Sequence, residues 1–185
     1  STPLNAKSQE TRRMTTSQRN ESTTVSPLKG VWILGAVILL IGIFIALCSA
    51  IGIQNFWAGF LFLFFWAGVE QANLKRLAPT AAGAFFGLLI CWAFQLLPQH
   101  FGNTAGGIAI LGLVSAVVYL LIIGRLTTFI NQSTMLFVTV GSIPAIQSNV
   151  SMAELFTALA LGVSFFGLLA ALAVWRVRTK AVPLR

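Results

Sequence analysis

The chain has 185 residues, 57% of them hydrophobic and 9% charged, with a mean hydropathy of +0.87, which excludes an ordinary soluble domain and places it in a bilayer. Its formal charge of +8 would suggest nucleic acid in a soluble protein, but the twelve Lys and Arg sit almost wholly outside the apolar stretches and read as topology signals. With no Asp, one His and two isolated Cys, the chain has no nucleophile with its base, carboxylate pair or metal-ligand set, so no enzyme activity, metal or cofactor is expected.

Residues 1–30 are rich in Ser, Thr, Asn, Gln and Arg and cannot bury enough apolar surface to fold alone, so a disordered basic cytoplasmic tail is expected. Its Arg- and Ser-rich character also fits a transit peptide, and Asn20-Glu21-Ser22 fits a glycosylation acceptor; a solvated arm near anionic headgroups is the preferred reading. Six apolar segments follow, at about 31–53, 55–69, 79–97, 105–124, 127–146 and 153–175, and a second basic tail covers 176–185. The fold expected is therefore all-α, a six-span membrane domain over 31–175.

The first segment contains Cys48, but the bulky Leu47 before it does not suit lipoprotein processing, so a retained helix is expected. The second, 55–69, is aromatic and ends at the polar run Glu70-Gln71-Ala72-Asn73. The third carries Gly83 and Gly87 as a GxxxG pair and ends near the exposed loop residue His100. The fifth is entered through Asn131-Gln132-Ser133, and its apolar part, about 134–146, is broken by Gly141 and Pro144. The sixth opens on Ser151-x-x-Glu154, which reads as a capping box, and presents Ala160, Ser164 and Gly167 as a small-residue face; with the GxxxG pair this suggests that spans three and six pack closely.

Charge fixes the expected orientation. With a cytoplasmic N-terminus, every Lys and Arg falls in a tail or in the connections after spans two and four, at Lys75, Arg76 and Arg125. The connections around Gly52, His100 and residues 147–151 carry none, which is the separation demanded by the positive-inside rule for six spans with both ends inside.

Crossing ~30 Å of hydrocarbon takes about 20 apolar helical residues, and segments two and five are short of it or interrupted. They hold matching places in the two halves. Three spans per half would invert the second half relative to the first, giving a possible 3+3 inverted repeat with a solute path where the halves meet. The pore or substrate-binding candidates are Trp57, Gly59, Phe60, Phe64 and Glu70 from the first half, and Asn131, Ser133, Thr134, Gly141, Ser142 and Pro144 from the second. Rings can narrow a path, amide and hydroxyl groups can replace water around a neutral solute, and an acid at membrane depth is functional unless it is paired at the headgroups. Glu70 has Lys75 and Arg76 available for such pairing.

The stretch Trp57-Ala58-Gly59-Phe60, then Leu74-Lys75, Gly87 and Trp92-Ala93, with Phe137-Val138 before Gly141, resembles the uncharacterised bacterial inner-membrane family known as domain of unknown function 1097. The resemblance covers about 31–175. It implies a small multi-span protein of the bacterial inner membrane and carries no substrate with it; the long polar N-terminal arm and Glu70-Gln71 depart from the family. The expected function is a membrane channel or passive transporter for a small, uncharged polar solute, with its path between segments two and five. The expected partners are the lipid bilayer, that solute and further copies of the chain, and not nucleic acid. The alternative is a non-transporting membrane scaffold that docks a partner through its N-terminal tail.

Overall fold

A computed structural model describes residues 27–143, 146 and 150–180. The described residues are helical and contain no strand: α1 Pro27–Ala50, α2 Trp57–Gly68, α3 Leu74–Ile122, α4 Gln132–Gly141 and α5 Met152–Lys180. Three helices are long and apolar enough to cross a membrane, within Gly30–Ala50, Leu74–Ile122 and Met152–Val177, while α2 is a shorter apolar helix. Pro144 and most of the two expected tails lie outside the described residues, but α1 already begins at Pro27 and α5 runs on to Lys180, so the ends of the tails next to the membrane domain, 27–30 and 176–180, are helical.

The chain divides into two compact units, 1–42 and 43–185. In the first, Val31, Trp32, Leu34, Ile38 and Leu39 of α1 are exposed, as suits a helix meeting lipid. All that follows concerns the second unit.

α3 is a folded-back hairpin. A straight helix of its 49 residues would be roughly 73 Å long at 1.5 Å per residue. Gly102 interrupts it at φ 78 and ψ 166, a conformation that only glycine adopts readily. Beyond Gly102 the chain reverses, because a methyl group placed on Gly106 would lie 2.6 Å from Pro98 Cα, whereas eight residues of continuous helix would separate the two by about 12 Å. The two arms, 74–101 and 103–122, then pack along their length through Ile90 and Val117, with Phe86, Phe94, Leu113 and Leu120 around them. The connection expected around His100 falls two residues from this reversal, although the helix runs through His100, whose ring nitrogen lies 3.0 Å from Leu96 O. Gly102→Ala should cost about 1–3 kcal/mol, the usual cost of a sparsely populated backbone conformation, and should lower the thermal midpoint accordingly.

The remaining packing is reciprocal. α2 lies on α5, and α4 lies on the first arm of α3. α2 and α5 run parallel: Asn55, just before α2, meets Glu154 in the first turn of α5, and Gly59 then meets Ala158 and Gly162. α4 and α3 also run parallel, with Asn131 at Pro79 and Gly83, Thr134 and Phe137 at Gly87, and Gly141 at Cys91. The first arm of α3 and α5 cross antiparallel, since Leu77 meets Gly167 while Phe85 stacks on Phe156 at 6.2 Å. The two parallel pairs therefore point in opposite directions.

These contacts place every described Lys and Arg of the unit at one end. Lys75 and Arg76 lie where α3 begins, Arg125 lies in the turn before α4, and Arg176 lies near the end of α5, beyond the Gly167–Leu77 contact. The opposite end holds Gln54, Asn55, His100, Ser151 and Glu154, with no Lys or Arg among the described residues. The charge separation read along the sequence is thus a separation in space.

Two packing expectations come out differently. Gly83 and Gly87 seat α4, not α5, so the GxxxG pair serves the short helix. On α5 the closest approach is made by Gly162, over Gly59, while Ala160 and Ser164 are exposed and only Gly167 makes the close contact expected of it. Small residues admit a neighbouring backbone on whichever face that neighbour lies, and their spacing along one helix does not say which face is used.

Candidate functional site

Each short helix has a buried stripe that presses on its long partner. On α2 the buried residues are Ala58, Gly59, Phe62, Phe65 and Trp66; on α4 they are Ser133, Thr134, Phe137 and Gly141. Four of the α2 positions, 58, 59, 62 and 66, correspond to the four on α4 at a shift of 75 residues. The same shift carries Thr80, Gly83, Ala84, Gly87 and Cys91 of α3 onto Leu155, Ala158, Leu159, Gly162 and Phe166 of α5, all of them buried. Any two buried helical stripes can be aligned at some shift. That one shift serves both the short helices and the long ones is a stronger constraint, and it also superposes their crossings, Gly59 on Gly162 and Thr134 on Gly87.

The polar candidates at the start of α4 spend their hydrogen bonds on backbone. Asn131 is extended and caps the helix: its Oδ1 accepts from the amides of Ser133 (2.9 Å) and Thr134 (3.3 Å), while the hydroxyl of Thr134 accepts from the Asn131 amide (3.2 Å). Asn131 Nδ2 donates to Pro79 O at 2.8 Å, Ser133 Oγ to Thr80 O at 3.0 Å, and Thr134 Oγ1 to Phe129 O at 2.6 Å. Gly83 makes room for this, since a side-chain carbon there would run into the Asn131 amide. The Asn131 amide and the Ser133 hydroxyl, which look unpaired along the sequence, therefore tie α4 to α3, while the Thr134 hydroxyl closes the turn before α4. Asn131→Ala should cost about 0.5–2 kcal/mol for the lost cap. Asn131→Asp should cost more, because it turns the donor to Pro79 O into a charged acceptor facing the carbonyls of Pro79, Thr127 and Thr128. Thermal midpoints of the two variants check the order.

The other candidates divide between the ends and the groove. Glu70, half-buried, pairs with the exposed Arg76 at 3.6 Å at the basic end, one of the two partners available to it, and a surface pair of this kind is worth about 0–1 kcal/mol. Gly59 is covered by the ring of Phe44 and by Ala158 O, and Gly141 by Cys91 Sγ, so both glycines are helix contacts. Ser142 is exposed, its hydroxyl donating to Thr139 O. Trp57, Phe60 and Phe64 line an open groove of about 350 Å³ between α2 and α4, completed by Leu61, Val140 and Ile146. Phe64 is 69% exposed, whereas Phe60 sits edge-on to Phe44 and Phe56. Trp57 Nε1 is buried with no hydrogen-bond partner, the one such side-chain atom among the described residues.

We compared the chain with protein-family models, curated proteins and solved structures. It matches none of them. Among the described residues, no group of His, Cys, Asp and Glu could hold a metal ion.

Several residues that build this arrangement were given no packing role from the sequence. Phe44, Phe62 and Phe137 are fully buried, and Phe44 joins α2 to α5 through Phe60, Phe165 and Phe166. Glu154 was read as capping its own helix. Its carboxylate instead accepts from the amides of Gln54 and Asn55 and from Asn55 Nδ2 (2.9 Å), and so fastens the start of α2 to α5. The aligned pairs Phe62/Phe137 and Gly87/Gly162 were the available signal, visible only when the sequence is compared with itself at that one shift.

Proposed function

We propose that the chain is a channel or passive facilitator for a small uncharged solute, built as a six-span inverted repeat, with the route running along the groove between α2 and α4. The observation that carries this reading is the reciprocal packing: two helices too short to span, each seated on the long helix of the other half, in pairs that run in opposite directions. Short segments at corresponding positions of two inverted halves are where membrane transport folds place the solute. The two arms of α3 and α1 supply the further spans that bring the count to six with the broken fifth segment. The charge distribution supports cytoplasmic termini.

The lining narrows the solute. Rings and aliphatic chains offer no substitute for an ion's hydration, so an ion pays heavily in this groove while a small neutral molecule does not. No acid lies along it; Glu70 and Glu154 belong to opposite ends. Six spans enclose little space by themselves, and self-association into a homo-oligomer completes the reading.

Filling the groove tests it. Leu61→Trp and Val140→Trp should reduce solute flux into proteoliposomes by tenfold or more, while Leu111→Trp, on the exposed face of the second α3 arm, should leave it unchanged. Undiminished flux through a folded Leu61→Trp protein would remove the groove from the route.

A further inference from the structure

The two helix pairs are fastened at their starting ends, and the fastenings differ in chemistry. At the end without basic residues, Glu154 of α5 accepts from the Asn55 amide (2.8 Å), from Asn55 Nδ2 (2.9 Å) and from the Gln54 amide. At the basic end, Asn131 Nδ2 donates to Pro79 O (2.8 Å) and Ser133 Oγ to Thr80 O (3.0 Å). Pro79 and Glu154 are related by the same 75-residue shift that superposes the buried stripes. The fastenings thus occupy equivalent places in the two pairs and, because the pairs point in opposite directions, opposite ends of the molecule.

Past each fastening, the pair closes to a crossing made by backbone. A side-chain carbon on Gly162 would lie 2.8 Å from Gly59 Cα, and one on Gly87 would lie 2.9 Å from Thr134 O. Close-packed contacts of this kind switch between discrete arrangements and do not stretch. Whether a pair is open at its starting end is therefore decided by the few hydrogen bonds that hold it there.

We propose that these fastenings are the two gates of the route. Release of Glu154 from Gln54 and Asn55 opens the end remote from the basic residues, and release of Asn131 and Ser133 from the Pro79 and Thr80 carbonyls opens the basic end. The inference rests on the transport reading and assigns its regulation to named residues. Hydrogen bonds to a carboxylate are roughly twice as strong as those between neutral groups, so the Glu154 gate is the firmer of the two and the neutral gate opens first. Glu154 is in this account a positioning residue that touches no solute.

The test uses the full chain in lipid nanodiscs on a C48A/C91A background. A single reporter cysteine replaces Leu159 on α5 or Ala84 on α3, both fully buried and related by the same shift. A membrane-impermeant maleimide reads the opening of each pair. Glu154→Gln turns one carboxylate oxygen into a donor facing the donors of Asn55, and should raise labelling at the Leu159 reporter tenfold or more while leaving the Ala84 reporter unchanged. Asn55→Ala should act at the same reporter without altering α5, which keeps the test available if Glu154→Gln folds poorly. Asn131→Ala should give the opposite pattern. Labelling that rises at neither reporter, or equally at both, overturns the gate assignment. Selective labelling without solute flux in any variant shows two fastenings that release independently but gate no route, and overturns the transport reading, so the two failures are distinguishable.

Discussion

Gly87→Val should be among the most damaging single substitutions in the chain, costing about 3 kcal/mol, at the upper end of the range for overpacking. A side-chain carbon at Gly87 would sit 2.6 Å from Phe137 Cβ, 2.9 Å from Thr134 O and 3.4 Å from Thr134 Cα. Two of those atoms are backbone and cannot rotate away, so α4 as a whole must lift from α3. Lifting it also strains the bonds from Asn131 and Ser133 to the Pro79 and Thr80 carbonyls. Gly112→Val provides the contrast. Nothing lies within 4 Å of a side-chain carbon at Gly112, and valine there meets open lipid. Thermal unfolding in one detergent should separate the two variants clearly, and equal midpoints would mean that α4 is not seated on Gly87.

Phe62→Ala and Phe137→Ala should each cost about 3–5 kcal/mol, the usual range for removing a fully buried ring. The two phenylalanines hold the same place in the two short helices, and Phe137 presses directly on Gly87. Water is not the reference here, since lipid tails are as apolar as a protein interior. The cost comes from the cavity and the lost contacts. Phe64→Ala, whose ring is largely exposed, should change stability by less than about 0.5 kcal/mol, as surface substitutions usually do. Because Phe62 and Phe137 belong to different helix pairs, their effects should add in the double variant. An exposed-like response at Phe62 would contradict the seating of α2 on α5.

What could be read in advance followed from properties carried by the sequence itself. Apolar length marked α2 and α4 as short, and the placement of Lys75, Arg76, Arg125 and Arg176 predicted the end at which the structure gathers them. The turn between the third and fourth segments was located to within two residues of Gly102, because the polar stretch Gln99-His100 interrupts the apolar pattern.

Partners distant in sequence were hidden. Glu154 three residues after Ser151 fits a capping box, yet its actual partners, Gln54 and Asn55, lie about a hundred residues earlier. Asn131 and Ser133 looked like unspent polar groups in membrane because the carbonyls of Pro79 and Thr80 that take their hydrogens lie about fifty residues earlier and leave no trace in local pattern. Phe60 and Phe64 were read together as pore candidates. One helical turn places the two near each other, but Phe60 turns toward Phe44 while Phe64 stays at the open mouth of the groove. For the candidate site, then, the sequence pointed to the two short helices and to several residues of the groove between them, and assigned solute contacts to Asn131 and Ser133, whose hydrogen bonds hold helices together.

The most direct measurement is stopped-flow swelling of liposomes carrying the purified protein, with a panel of small neutral solutes and a parallel record of ion current. The account predicts rapid, solute-selective swelling without current, reduced by Leu61→Trp. Current without swelling, or silence in both records from folded protein, would contradict it.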